Sequence, residues 1–129
     1  MKRISFIIII LIQVFYSIGQ QYSSTSKKAI KLLEEAMDAP RLNKDEFGRE
    51  NYTLGLTIAK KSIEKDPNFW EAYLLAGEFA ELSNQLPLAI EYYKKTIQIN
   101  PKCQMYGRHK IRPMQEKLFG RANQHYCWY

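Results

Sequence analysis

Four residues near the C-terminal end of this 129-residue chain have side chains able to attack a bond or hold a metal: Cys103, His109, His125 and Cys127. A zinc site needs ligands spaced so that one ion can collect them, and C-x5-H followed by H-x-C matches none of the usual patterns. Thiol catalysis needs a base beside the sulfur and a group to orient that base, and neither is offered by the neighbouring residues. The chain is therefore expected to have no catalytic residue, no metal and no cofactor. The cysteines are left with two readings. A disulfide between Cys103 and Cys127 would close a loop of about 25 residues and contribute about 3 kcal/mol through loop entropy; otherwise they are separate thiols. The rival function built on the same four residues is a small enzyme or a hydrolase accessory.

The elements that position these residues begin with an unusual N-terminus. Lys2 and Arg3 precede seven unbroken apolar residues, Phe6 to Ile12, and small residues follow at Ser17 and Gly19. That order is the layout of a secretory signal peptide, so residues 1–19 are expected to be cleaved, with an uncleaved anchor as the alternative. The apolar run is too short for a hydrocarbon layer of about 30 Å. Either way the rest of the chain is expected to leave the cytoplasm, for the periplasm or an outer-membrane-associated position.

Export alters the meaning of the formal charge of +6. Residues 20–101 carry 11 cations and 12 anions, so the basic excess sits in residues 102–129, where six cations face Glu116 alone. An exported chain with a near-neutral body is not expected to bind nucleic acid. Membrane contact is expected only through the leader, if it is retained.

The body reads as all-α. Ala29, Ile30, Leu32, Leu33, Ala36 and Met37 fall at helical spacing in a first helix that Pro40 is expected to end. A polar connection, Arg41 to Arg49, leads to a second helix with Tyr52, Leu56, Ala59 and Ile63 on one face. Asp66-Pro67 closes it, because the residue before proline is pushed out of the helical region. A third helix from Phe69 to Leu82 aligns Phe69, Tyr73, Ala76 and Ala80. The turn Ser83-Asn84-Gln85 suits a left-handed residue at Asn84. The fourth helix tolerates Pro87 in its first turn, directs Ala89, Ile90, Tyr93 and Ile97 to the core, and stops at Asn100-Pro101.

Asp66-Pro67 and Asn100-Pro101 lie 34 residues apart, a period that points to a structural repeat. With Trp70 as its first position, the segment WEAYLLAGEFAELSNQLPLAIEYYKKTIQINP resembles a tetratricopeptide repeat, a helix-turn-helix unit. Tyr73, Ala76, Gly77 and Ala80 match the packing positions of the family's first helix. Ala89, Tyr93, Thr96 and Pro101 match those of the second helix and the close. Gly55, Ala59 and Ser62 match the second helix of a preceding unit whose first helix is displaced upstream. The resemblance implies a solenoid of about two repeats and four helices over residues 20–101, a divergent unit at 24–67 and a well-matched one at 68–101. The order of leader, Ser/Thr linker, helix and repeat also resembles the start of Bacteroidetes envelope proteins that continue into a WD40-like propeller and an outer-membrane-protein-A-like peptidoglycan-binding domain.

The family binds ligands on the concave surface lined by the first helix of each unit. By that pattern the lining residues here are Glu71, Leu74, Glu78, Glu81 and Leu82. Three carboxylates and two leucines would suit a basic or amphipathic peptide, while a simple solvated helix face is the alternative. The implied function is an exported protein-binding or scaffolding module of the cell envelope.

Residues 102–129 are expected to form a basic tail outside the repeats. Continuing the 34-residue register places Lys110 and Ile111 where small or apolar residues belong. Gly107, Pro113 and Gly120 are expected to prevent a long helix, leaving a short one from Pro113 to Ala122 that buries Met114, Leu118 and Phe119. A truncated or frame-shifted envelope protein would lose register in this way. A capping element or a basic aromatic arm ending in Tyr126, Trp128 and Tyr129 is the alternative.

Overall fold

Periodicity alone calls for helices, and the computed structural model, which describes residues 22–119, is all-helical over that range. Helix α1 spans Lys27–Leu42, α2 Tyr52–Lys65, α3 Trp70–Leu82 and α4 Leu86–Ile99, followed by a 3-10 turn at Pro101–Cys103 and helix α5 at Gln104–Phe119. The leader, Cys127, His125 and the terminal aromatic residues lie outside the described residues. Among the described residues no helix is long and apolar enough to cross a membrane.

Local chemistry sets the ends of these helices. The Ser26 hydroxyl accepts from the Ala29 amide at the start of α1, and Asn51 Oδ1 accepts from the Leu54 amide at 3.0 Å at the start of α2. Each contact satisfies a donor that has no partner within the helix. Asn84 adopts φ 58°, the left-handed conformation expected of it, and the Gln85 amide reaches back to the Ala80 carbonyl at 2.8 Å. Extended backbone at Asp66 and Asn100 ends α2 and α4, as the following prolines require.

Each helix packs on the next along the chain, α1 on α2, α2 on α3, α3 on α4 and α4 on α5. Tyr93 and Phe69 are the largest fully buried side chains. Small residues allow the close approaches. A β-carbon at Gly55 would stand 2.8 Å from both Phe79 Cε2 and Pro40 Cγ, so this glycine lets the end of α1 meet α2 and α3. The buried Ser62 hydroxyl donates to the Ala29 carbonyl at 2.7 Å and ties α2 to α1.

Three expectations need correction. Pro40 does not end α1, which continues to Leu42. A proline in the last turn removes only one hydrogen bond, and its ring is buried against the helix that follows. Nor is the segment after Pro101 without long helical structure, because α5 continues through both Gly107 and Pro113 and makes five helices rather than four among the described residues. Gly107, Ile111 and Met114 are buried on α4, and their packing offsets the helix-breaking tendency of the two residues. Finally, of the three apolar residues assigned to the core of a short tail helix, only Met114 is buried; Leu118 and Phe119 are 38% and 59% exposed.

Candidate functional site

The residues expected to line a binding surface belong to α3, where 3.6-residue periodicity separates them from the buried set Ala72, Tyr73, Ala76, Gly77, Phe79 and Ala80. Glu71, Leu74, Glu78 and Glu81 are half-buried, and Leu82 is exposed. The repeat-packing residues Tyr73, Ala76, Gly77, Ala80, Ala89, Tyr93 and Thr96 are all buried, whereas Pro101 is exposed at the start of the 3-10 turn.

All three carboxylates accept hydrogen bonds from other parts of the chain. Glu71 accepts from the Ser23 amide at 2.8 Å and from the Ser23 hydroxyl. Glu78 Oε1 accepts from the Tyr106 hydroxyl at 2.7 Å. Glu81 Oε2 accepts from the Tyr93 hydroxyl at 2.8 Å and from Lys110 Nζ at 3.1 Å. Lys110 also lies 6.0 Å from the centroid of the Tyr106 ring, whose edge meets the Tyr93 ring at 6.4 Å. Tyr106 and Lys110 therefore form a four-residue-spaced donor pair on α5 that meets the three-residue-spaced acids Glu78 and Glu81 on α3.

The electrostatics follow from this packing. Burial, reinforced by the Glu81 carboxylate, raises the Tyr93 phenol well above its ordinary range. Burial and Glu78 do the same to Tyr106. Both rings therefore act as neutral hydrogen-bond donors. Lys110 and Glu81 each remain about one-third exposed, so their ion pair is a modest contribution and not a dry charge pair.

Cys103 is half-buried in the 3-10 turn, where burial and then the charge of Glu71 raise its thiol. Such surroundings disfavour the nucleophilic thiolate. His109 is exposed on α5. The Cys103–Cys127 pairing and any role of His125 lie outside the described residues. Among the described residues, no three His, Cys, Asp or Glu side chains gather into a group able to hold a metal ion.

Sequence reasoning placed the acidic row on one face of α3 but not its partners Ser23, Tyr106 and Lys110. The spacing of Tyr106 and Lys110 was the available signal, and the assumption that residues after Pro101 form no long helix concealed it. No protein-family model matches the chain, and no curated protein matches it.

Proposed function

We propose that this chain is an exported, non-catalytic binding or scaffolding module of the cell envelope, built as a tetratricopeptide-type helical array, with the α3 face contacting a protein or peptide partner of basic character. One observation carries the reading: buried positions recur at 34 residues along the array. Gly55, Ala59 and Ser62 in α2 correspond to Ala89, Tyr93 and Thr96 in α4, and all six are buried. Tyr73, Gly77 and Ala80 in α3 correspond to Gly107, Ile111 and Met114 in α5, again all buried. Packing of each helix on its sequence neighbours supports the same reading, since it is how stacked repeats are stabilised.

A basic ligand on the α3 face meets Glu71, Glu78 and Glu81 together with Leu74 and the exposed Leu82. To engage Glu78 or Glu81 it must compete with Tyr106 and Lys110, so α5 sets the threshold for binding. Binding of a fluorescent Lys/Arg-rich peptide to the full-length chain tests this. The triple variant E71Q/E78Q/E81Q should bind at least tenfold more weakly, and Tyr106→Phe combined with Lys110→Met should bind more tightly. Equal binding by all three proteins would remove the α3 face as the site.

A further inference from the structure

We propose that residues 22–26 act as a strap across one end of the α3 face, with Ser23 occupying Glu71 in the way a ligand's arginine would. Its gating role rests on the α3 face being the binding surface proposed above.

Two donors of Ser23 meet the two oxygens of one carboxylate. The Ser23 amide donates to Glu71 Oε1 at 2.8 Å, and the Ser23 hydroxyl donates to Glu71 Oε2. This paired pattern is the one a guanidinium makes with a carboxylate, whereas the ammonium of lysine is a point charge without a fixed fork. The strap therefore supplies from within the chain what a ligand arginine would supply from outside.

The contacts that hold the strap differ in kind. Ser24 is buried, and its hydroxyl donates to Asp66 Oδ2 at the end of α2 and accepts from the Ser26 amide at 3.1 Å. Ser26 in turn caps α1. The Tyr22 ring meets the buried Phe69 ring edge-on, with 5.9 Å between centroids. These contacts fix both sides of residue 23 against the α2–α3 junction. Ser23 itself is exposed, and a hydrogen bond made beside water contributes little net, because water or a ligand can replace either partner. The latch at Glu71 can therefore open while the anchors stay in place. Burial, and then the charges of Glu34 and Glu71, raise the Tyr22 phenol, so this residue stays neutral beside the carboxylate. Ser23 and Tyr22 bring no positive charge to Glu71, and an arginine adds an attraction that the strap lacks.

Two readouts on the full-length chain separate the strap from the ligand. Carbodiimide coupling of glycine ethyl ester to carboxylates, mapped by mass spectrometry, reports how accessible Glu71 is with no ligand present. Ser23→Ala removes one donor and Ser23→Pro removes both, and labelling of Glu71 relative to the exposed Glu46 should rise in that order. An arginine-rich peptide should bind Ser23→Ala about threefold more tightly than wild type, and Ser23→Pro more tightly still. A lysine-rich peptide of equal length should bind more weakly, and the gain in both variants should vanish in the E71Q background. Tyr22→Phe keeps the ring and should match wild type, and circular dichroism checks that helix content is unchanged throughout. Unchanged labelling of Glu71 overturns the strap. Raised labelling without tighter binding, in a protein whose binding weakens on E71Q, overturns its gating role. Equal affinity for the two peptides overturns the arginine mimicry. Failure of the α3 face as the site looks different: the arginine-rich peptide then binds wild type and E71Q alike, and the gating role falls with it, while labelling still decides whether residues 22–26 mask Glu71.

Discussion

The backbone of Gly77 lies against the ring of Tyr93, so close that a β-carbon at residue 77 would stand 2.9 Å from Tyr93 Cε1. This contact sets the separation of α3 and α4, because Tyr93 is fully buried and has nowhere to move.

A larger residue at Gly77 must therefore displace the ring or the helix. Gly77→Leu should destabilise the fold by about 1 to 3 kcal/mol through overpacking, more than any gain in helix propensity offsets. Urea denaturation would show a lower midpoint. In the background of Tyr93→Leu the same substitution should cost less, since the two residues share one space, and additive costs would count against this account.

The hydroxyl of Tyr93 makes stability depend on alkaline pH. In the unfolded chain a tyrosine ionises near 10. In the fold, burial and the Glu81 carboxylate raise Tyr93, and burial and Glu78 raise Tyr106. A folded value above the unfolded one means the contribution is complete below about pH 10 and is lost as pH rises from there toward the folded value. Denaturation midpoints measured across that window should fall, and should fall less steeply in Y93F/Y106F. Burial also raises Tyr73 and Tyr92, so a residual slope should remain. Identical slopes in wild type and the double variant would refute the assignment.

Gly107 holds α5 in place by admitting the side chain of Ile97 against its backbone. Gly107→Val should push α5 away from α4 while leaving the contacts of α1 to α3 in place. Limited proteolysis should then cut residues 104–119 several-fold faster, with a smaller loss of global stability, as expected when one terminal unit opens by itself. Unchanged cleavage would mean that α5 is held elsewhere.

Four helices were legible in the sequence because their signals are local. Apolar spacing, the Asp66-Pro67 and Asn100-Pro101 stops and the left-handed Asn84 each act within a few residues. The fifth was legible only as a short helix from Pro113 burying Met114; its first half was not, since Gly107 and Pro113 lower local helix propensity and the burial of Gly107, Ile111 and Met114 on α4 offsets that cost. Pro40 follows the same logic, for its contact with α2 is invisible to a scan of neighbouring residues. The acidic row on α3 was legible from one helix alone. Its partners Tyr106 and Lys110 lie 28 and 29 residues away from Glu78 and Glu81, and pairing over such a separation depends on how α5 docks.

Because each helix rests on its sequence neighbours, resistance to opening varies along the chain. To expose its backbone amides to exchange with solvent, α3 must part from α2 and α4 and from Ala29 and Leu33 of α1, whereas α5 packs on α4 and reaches α3 through Tyr106 and Lys110. Amide exchange should therefore be slowest in α3 and faster in α5.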